Sequence, residues 1–431
     1  MKKENMTHKF LTGILICLCV VCLQSYPAKA SNTKALVQEP TYKLLNQKTK
    51  SEMRGVWISY LEFLSAKTSN MTYSQFKSYI NTMFTKCKSD RMNTVIVQVR
   101  PCGDALYPSS YFPWSSYISG TQGKNPGYDP LKYMVSAAHK RGLKFYAWIN
   151  PYRVSMSGVT NSKYLSSGNQ ARKWRNSSYS SVKRNVLTYN GQMYYNPSKT
   201  AVQRLIVNGV KEIVKKYSVN GIIFDDYFYP NLGNSYRSNF DAVEYKEYKS
   251  YCQEHDTSPT GIITWRRNKV NTLLKKVHSA IKNIDSSVRF GVSPQGNISN
   301  LESSTANYCD VKTWLKSTSY IDFVSPQIYW STTNKTSPYK KVLNQWISLR
   351  GDSSVSIYAS IAAYKAGLSK SEASALLPAD TQWAASRTNL QRQVAYGRST
   401  GKVDGFIIYR YDNMVSSKAS SEMKNLIRIL K

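Results

Sequence analysis

Hydrophobic positions along this chain alternate between short β-rich runs and longer stretches with helical spacing. Such alternation is typical of βα units built around a parallel sheet. The short runs predict eight strands, at 54–60, 94–100, 144–150, 221–225, 288–293, 320–328, 354–361 and 405–409. The helical patterns predict helices at 73–89, 130–141, 198–217, 242–254, 265–284 and 420–430.

Eight strands joined by helical connections close naturally into one barrel. We therefore predict an α/β protein, a (β/α)8 TIM barrel with long βα loops that spans 52–431 without a second domain. A loop rich in Tyr, Pro, Ser and Gly follows the second strand, and a long insertion rich in Ser and Asn follows the third. A doubly wound sheet is the alternative, but no glycine-rich phosphate loop follows any predicted strand.

The first thirty residues have the pattern of a signal peptide. Three lysines precede position 10, an apolar run covers 10–23, and Ala28-Lys29-Ala30 supplies a small-x-small cleavage site. The apolar run is shorter than the ~20 residues of a membrane span. We expect cleavage after Ala30, a polar linker at 31–51, and a protein that is secreted or held in the cell wall. A lipoprotein is the alternative, although none of the three cysteines at 17–22 follows a small residue.

The charge balance of the chain predicts that the protein binds anionic partners. Lys and Arg number 59 against 25 Asp and Glu, a formal net charge of +34. Nucleic-acid binding is one interpretation of such a chain, but the export signal and the scatter of the basic residues argue against it. We expect adhesion to anionic wall polymers instead, with solubility alone as the simpler alternative.

Cysteine and histidine usage gives no indication of a metal or cofactor. Four cysteines lie beyond the leader, at 87, 102, 252 and 309, and they allow three disulfide pairings among which the sequence does not choose. Of the three histidines beyond the leader, at 139, 255 and 278, none stands near a predicted strand end. A metal-dependent deacetylase, which needs histidines at ligand spacing, is therefore disfavoured.

The residues at the carboxyl ends of the strands are polar, aromatic and basic, and in such barrels these ends carry the reactive groups. A sugar ring offers C–H faces to aromatic rings and hydroxyl edges to hydrogen-bonding groups. We therefore predict a glycan-binding cleft. Its predicted substrate-binding residues are Arg100, Trp148, Asn150, Arg153, Tyr227, Gln327, Tyr329 and Trp330.

Asp225 and Asp226 are the predicted catalytic residues. Asp225 ends the apolar strand 221–225, and Asp226 follows it and precedes an aromatic run, Tyr227-Phe228-Tyr229. Side chains alternate between faces within a strand, but the chain can turn at its terminus, so both carboxylates can reach one cleft. Two like charges placed together raise one pKa, which lets one carboxyl stay protonated while the other stays ionised. The alternative is that one aspartate caps a helix or binds a loop amide.

Five segments of this sequence carry a family resemblance: Glu52-Met53-Arg54-Gly55-Val56-Trp57, Val97-Gln98-Val99-Arg100-Pro101, Ala147-Trp148-Ile149-Asn150-Pro151-Tyr152-Arg153, Asp225-Asp226-Tyr227-Phe228-Tyr229-Pro230 and Asp322-Phe323-Val324-Ser325-Pro326-Gln327-Ile328-Tyr329-Trp330. They resemble the glycosyl-hydrolase-like 10 family, and the segment that begins with Asp225 is the most specific of them. The resemblance implies a (β/α)8 barrel and cleavage of cell-wall glycan, with peptidoglycan as the expected substrate and partner. The likeness runs from Glu52 to the C-terminus.

Two mechanisms fit this pattern. In the first, the N-acetyl group of the substrate is the nucleophile, one aspartate polarises it and the other protonates the leaving oxygen. In the second, Asp225 is a covalent nucleophile and Glu62 or Asp412 is the acid. We favour the first, because no glutamate ends strands five to eight. A sugar-binding barrel without catalysis is the competing function.

The two predicted cleft arginines also have two interpretations. Arg100 and Arg153 end the second and third strands, and a guanidinium can hold a carboxylate such as the lactyl group of muramic acid through two parallel hydrogen bonds. Alternatively, they form internal salt bridges to Asp225 or Asp226.

Overall fold

Eight parallel strands close into a barrel in the computed structural model, which describes residues 52–351 and 353–430. The predicted (β/α)8 fold is confirmed. The predicted signal peptide and linker lie outside the described residues. In chain order the strands are β1 (Met53–Ile58), β2 (Thr94–Arg100), β3 (Lys144–Ile149), β4 (Val186–Tyr189), β5 (Gln192–Tyr195), β6 (Gly221–Asp225), β7 (Arg289–Ser293), β8 (Phe323–Val324), β9 (Ser356–Ala362) and β10 (Gly405–Tyr409).

Barrel neighbours follow the chain order, apart from an inserted hairpin. The closed order is β1-β10-β9-β8-β7-β6-β3-β2, with β4 and β5 outside the barrel as an antiparallel pair. Every barrel ladder is parallel, so all eight carboxyl ends meet at one mouth. β6, the strand that ends in Asp225, lies between β3 and β7.

The helices fill the connections between strands. Amphipathic spacing predicted the bounds of α2 and α8 correctly. The helices are α1 (Tyr60–Ser65), α2 (Tyr73–Ser89), α3 (Ser116–Ser119), α4 (Pro130–His139), α5 (Gln170–Arg175), α6 (Ser180–Lys183), α7 (Thr200–Lys216), α8 (Ala242–Glu254), α9 (Ile262–Lys282), α10 (Ile298–Leu301), α11 (Val311–Trp314), α12 (Tyr339–Arg350), α13 (Lys370–Leu376), α14 (Gln382–Ala385), α15 (Asn389–Ser399), α16 (Tyr411–Met414) and α17 (Ser420–Ile429).

The first and sixth strands are shorter than predicted. β1 ends at Ile58 because Ser59 is the N-cap of α1, where its side chain and that of Glu62 form a reciprocal capping box. The β8 ladder is confined to two residues because Pro326 has no backbone N–H to donate. Pairing then resumes as isolated bridges from Gln327 to Gln295, two residues after β7, and to Ser360 of β9.

The long insertion after β3 contains the β4–β5 hairpin, which the sequence prediction treated as irregular. Its turn is Asn190-Gly191, and both residues have positive φ, 44° and 72°. Asn-Gly is the preferred sequence for such a two-residue turn. The hairpin pairs with the loop after β3 through a bridge between Arg153 and Tyr194, so the insertion is built onto the mouth of the barrel.

Aromatic rings fill the barrel interior, and glycines on neighbouring strands make room for them. A Cβ on Gly221 would lie 2.3 Å from the Tyr146 ring, and one on Gly291 would lie 2.3 Å from the Phe323 ring. Tyr146 and Phe323 meet edge to face, with their centroids 5.7 Å apart. These aromatic rings therefore fill the barrel interior beneath the carboxyl ends of the strands.

The four cysteines of the described chain are buried and free. Burial raises the pKa of the Cys87 and Cys102 thiols, which makes them unreactive packing residues. Among the described helices, none combines the length and apolar character required for a bilayer span.

Gly221→Ala is expected to destabilise the barrel, because the new methyl group overlaps Tyr146 and a backbone oxygen of Arg289. Overpacking of this kind costs about 1–3 kcal/mol. The measurement is the free energy of unfolding from urea denaturation. Gly168→Ala is the control, since its Cβ meets nothing within 4 Å. Equal stability of the two variants would contradict the packing described here.

Candidate functional site

The two predicted catalytic aspartates lie side by side at the carboxyl end of β6. Asp225 is 4% exposed and Asp226 is 3% exposed. Asp225 continues the inward face of the strand after Ile223, which belongs to the barrel interior. Burial raises the pKa of both carboxyls, because the low-dielectric surroundings disfavour the charged form.

Asp225 is surrounded by groups that favour its ionised form. The Trp148 indole donates to its Oδ2 over 2.9 Å. Burial raises the pKa of Asp225 to about 6, while the Arg153 guanidinium and the indole hydrogen bond hold it from rising further. Asp225 is therefore the member of the pair that ionises first.

Asp226 has the higher pKa of the two. Burial, followed by the charge of Asp225, raises its pKa to about 7, against the lowering effect of the Gln295 backbone amide. The Gln295 amide donates to Oδ2 over 2.9 Å, and the Asn307 side chain donates to the same oxygen over 3.2 Å. Because both donors hold Oδ2, Oδ1 is the oxygen available to carry a proton.

An indole pair inside the barrel fixes the orientation of Trp148. Trp57 and Trp148 meet edge to face with their centroids 4.9 Å apart. The Trp57 indole in turn donates to the Ser360 hydroxyl over 3.2 Å. The hydrogen bond to Asp225 thus depends on side chains from β1 and β9 on the opposite side of the barrel.

The loop after β3 brings Arg153 beside the pair. Asn150 is fully buried, and its Oδ1 accepts the backbone amides of Tyr152 and Arg153 over 3.3 and 2.9 Å. The Arg153 guanidinium lies 4.7 Å from the centre of the Tyr227 ring, which is 50% exposed at the rim. Asn150 therefore positions the loop, while Arg153 and Tyr227 present a cationic and an aromatic surface next to Asp225.

The remaining predicted residues follow β8. Gln327 donates to the Ser293 carbonyl over 3.0 Å, and Trp330 packs against Gly296, where a Cβ would lie 2.8 Å from its ring. Tyr329 packs against Tyr409 at 5.6 Å between centroids. Burial raises the pKa of the Tyr329 hydroxyl, and its neighbours, among them Tyr227 and Asp226, raise it further.

Arg100 does not line the mouth, so the prediction that it does is wrong. It is completely buried, with its guanidinium 3.7 Å from the Phe112 ring centre and next to Gly209 of α7. The β2–β3 register shifts between Gln98 and Arg100. A bulge of this kind changes the face on which the next side chain points, and it directs Arg100 outward between the barrel and α7.

Glu62 and Asp412, the alternative acids, lie across the mouth in a structural cluster. Glu62 is fully buried, caps α1 and forms an ion pair with Arg410. Asp412 lies 3.3 Å from the same guanidinium. β1 and β10, which precede these residues, are on the far side of the barrel from β6. Across the residues that the structure describes, no group of His, Cys, Asp and Glu side chains is arranged to hold a metal ion.

A buried ion pair supports the loops that carry the site. Arg266 of α9 lies 2.7 Å from Asp241, and both side chains are fully buried. The Tyr229 hydroxyl donates to Asp241 over 2.8 Å, and Arg266 donates to the Tyr308 hydroxyl over 2.7 Å. Tyr229 stands three residues after Asp226, and Tyr308 follows Asn307. The pair therefore ties together the two loops that meet at Asp226.

Sequence reasoning missed three residues of this site. Trp57 lies inside a predicted strand but was not distinguished from packing residues. Tyr364 contacts Tyr329 edge to face at 5.8 Å and follows the seventh strand closely enough to have been found. Asn307 has no sequence signal, since it stands in a loop, where it and Tyr308 adopt positive φ of 57° and 52°.

Comparison with known proteins decides the family. The model of the family described as glycosyl hydrolase-like 10 matches residues 52–376. The chain belongs to this family. In the structure, the segment that begins with Asp225 and Asp226, which is the most specific part of the resemblance to this family, lies at the mouth of the barrel.

Two relatives share much of the sequence. Glycosyl hydrolase YngK of Bacillus subtilis (strain 168) is 34% identical over 75% of this chain, and the match spans 62% of that protein's length. Glycosyl hydrolase DigH of Escherichia coli (strain K12) is 31% identical over 93% of this chain and 91% of its own length.

Solved structures share the fold at low sequence identity. The PgaB (BpsB) glycoside hydrolase domain of Bordetella bronchiseptica has a TM-score of 0.51 and 13% identity, covering 87% of this chain and 99% of that one. An endo-1,4-beta-mannanase of Rhizomucor miehei has a TM-score of 0.51 and 12% identity, covering 88% and 94%. At these identities the likeness concerns the fold alone.

Arg266→Met is expected to lower the free energy of unfolding by about 3–5 kcal/mol, because it leaves Asp241 buried without its partner. The measurement is chemical denaturation of the purified protein. Lys86→Met is the matched control, since it removes a surface i,i+4 pair with Asp90 that is worth only ~0.5 kcal/mol. If Arg266→Met lowered the free energy of unfolding no more than Lys86→Met does, the ion pair would not be what stabilises these loops.

Proposed function

We propose that this chain is an exported glycoside hydrolase that cleaves N-acetylated cell-wall glycan, with peptidoglycan as its substrate. The observation that carries the proposal is the buried pair of Asp225 and Asp226, whose pKa values of about 6 and 7 lie close to neutral pH. Membership of the glycosyl hydrolase-like 10 family and the two relatives named glycosyl hydrolases support glycan cleavage. The leader pattern at 1–30 supports export.

The difference in pKa assigns the two roles. Asp226, the weaker acid, is protonated first and donates its proton to the leaving glycosidic oxygen. Asp225, ionised beside Arg153, polarises the N-acetyl group, whose carbonyl oxygen attacks the anomeric carbon. The leaving oxygen departs with the proton of Asp226, and an oxazolinium ion forms, whose retained N–H and positive charge are stabilised by ionised Asp225. Water then opens this ring at the anomeric carbon and returns a proton to Asp226.

The surroundings of the pair suit a sugar chain. Tyr227 and Tyr329 present aromatic rings at the mouth, and such rings pack well against C–H faces. The Arg153 guanidinium can bind a carboxylate through two parallel hydrogen bonds. The lactyl group of a peptide-free muramic acid supplies such a carboxylate. Arg153 therefore favours glycan strands from which the stem peptides have been removed.

Asp225→Asn and Asp226→Asn are each expected to reduce cleavage at least ~10²–10⁴-fold, the usual contribution of acid–base catalysis. Each substitution keeps size and hydrogen bonding but removes acidity. The purified protein beginning at Ser31 is incubated with intact and with peptide-stripped peptidoglycan, and mass spectrometry identifies the new sugar ends.

Asp256→Asn is the control for this pair of variants, because Asp256 is exposed in the turn that follows α8. Near-normal rates in both site variants would place the catalytic groups elsewhere. A protein that binds these glycans with or without the aspartates and never releases new ends would be a sugar-binding barrel instead.

The pH dependence of kcat/KM is expected to be bell-shaped. Activity requires ionised Asp225, so it falls as the pH drops below about 6. It also requires protonated Asp226, so it falls as the pH rises above about 7. Because adjacent carboxyls titrate as a pair, the two limbs report values of the pair. A profile that stays flat from pH 5 to 8 would exclude this assignment.

A thiazoline analogue of N-acetylglucosamine is expected to inhibit competitively, because it imitates the oxazoline intermediate. A 2-fluoro sugar distinguishes the alternative route, in which Asp225 forms a covalent bond that intact-protein mass spectrometry detects. Both routes retain the anomeric configuration, so product stereochemistry does not separate them. Trapping at Asp225 without thiazoline inhibition would decide for the covalent mechanism.

A further inference from the structure

A surface groove of about 890 Å³ lies where α7 and α9 pack side by side. None of its lining residues belongs to the site at the mouth of the barrel. Five of them are cationic and none is acidic. The cationic residues are Arg204, Lys211 and Lys215 of α7 and Lys275 and Lys276 of α9.

The cations of α7 form a row along one side of the groove. Arg204, Lys211 and Lys215 are separated by seven and four residues, spacings that place side chains on one helix face. At 1.5 Å per residue the row is about 16 Å long. Val207 and Ile284, both half-buried, contribute an apolar floor. The groove thus has an extended cationic wall over a floor of aliphatic side chains.

The acids that stand nearest in the sequence are engaged elsewhere. Glu212 is buried, where it accepts from the Ser110 amide over 2.8 Å and pairs with Lys216 over 2.9 Å. Asp285 accepts from Ser287 over 2.6 Å. Like charges gathered along one groove raise its potential, and a bound anion lowers their mutual repulsion.

We infer that this groove binds a linear polymer of phosphodiester-linked polyols, the chemistry of an anionic cell-wall polymer. A row of this length and charge requires a ligand with repeated negative charges, because a single anion reaches only part of the row. The groove is concave, so a flexible single chain can lie in it, whereas a bilayer surface is too flat to enter it. The net charge of the chain predicts attraction to polyanions, and the groove gives that attraction a location.

The test measures binding of the protein beginning at Ser31 to delipidated poly(glycerol phosphate) by fluorescence anisotropy across a salt series. Replacing Lys211, Lys215 and Lys275 with Gln is expected to weaken binding about tenfold or more. The slope of log Kd against log salt is expected to fall by roughly one for each cation removed. The same three positions changed to Arg should keep both affinity and slope.

The matched control replaces Lys370, Lys402 and Lys424 with Gln, three exposed lysines outside the groove that remove the same charge. Binding in this control should stay within about twofold of the unmodified protein. Equal weakening in both triple variants would overturn the inference, since net charge alone would then explain adhesion. Equal groove-dependent binding to phosphatidylglycerol vesicles or to poly-glutamate would also overturn it. Turnover of a soluble glycan fragment should be unchanged in every variant, which separates this result from that of the Asp226 test.

Discussion

Two adjacent carboxyls buried at the end of one strand are the constraint on which the mouth of this barrel depends. Burying an ionised carboxylate without partners is strongly unfavourable, and placing a second beside it adds repulsion. The protein lowers the free-energy cost of burial by different contacts at each carboxyl. Asp225 has an indole donor and a guanidinium beside it, whereas Asp226 has a backbone amide and an amide side chain. Different neighbours around identical side chains are what separate their pKa values.

The partners of the pair come from several strands, so the site requires the whole barrel to close. Trp148 stands on β3, and the Trp57 ring that orients it stands on β1. Next to Asp226, the loop that contains Asn307 is held by a hydrogen bond between the Tyr308 hydroxyl and Arg266 of α9. The buried Arg266–Asp241 pair lies beneath both loops at Asp226. A single substitution below the mouth can therefore affect catalysis without touching substrate.

Local patterns predicted most of the fold because strands and helices in this chain carry their own signals. β2, β6 and β10 begin and end where the apolar runs do. The wrong bounds of two strands and the missed hairpin have local causes, which are also visible in the sequence. The Ser59 capping box ends β1, Pro326 shortens β8, and the Asn190-Gly191 turn makes the hairpin. Each is a short signal within a region that periodicity alone describes as irregular.

The candidate site could be predicted only as far as strand ends determine it. Asp225 ends β6, Asp226 follows it, and Tyr329 follows the predicted sixth strand, so the closure of the barrel brings them together. The direction of a side chain at a strand end is less predictable, because one bulge in β2 is enough to turn Arg100 away from the mouth. Asn307 reaches Asp226 through a loop in a left-handed conformation that no periodic pattern encodes. The sequence thus locates the two carboxyls of the site, while the donors that adjust their pKa values depend on loop contacts that only the folded chain creates.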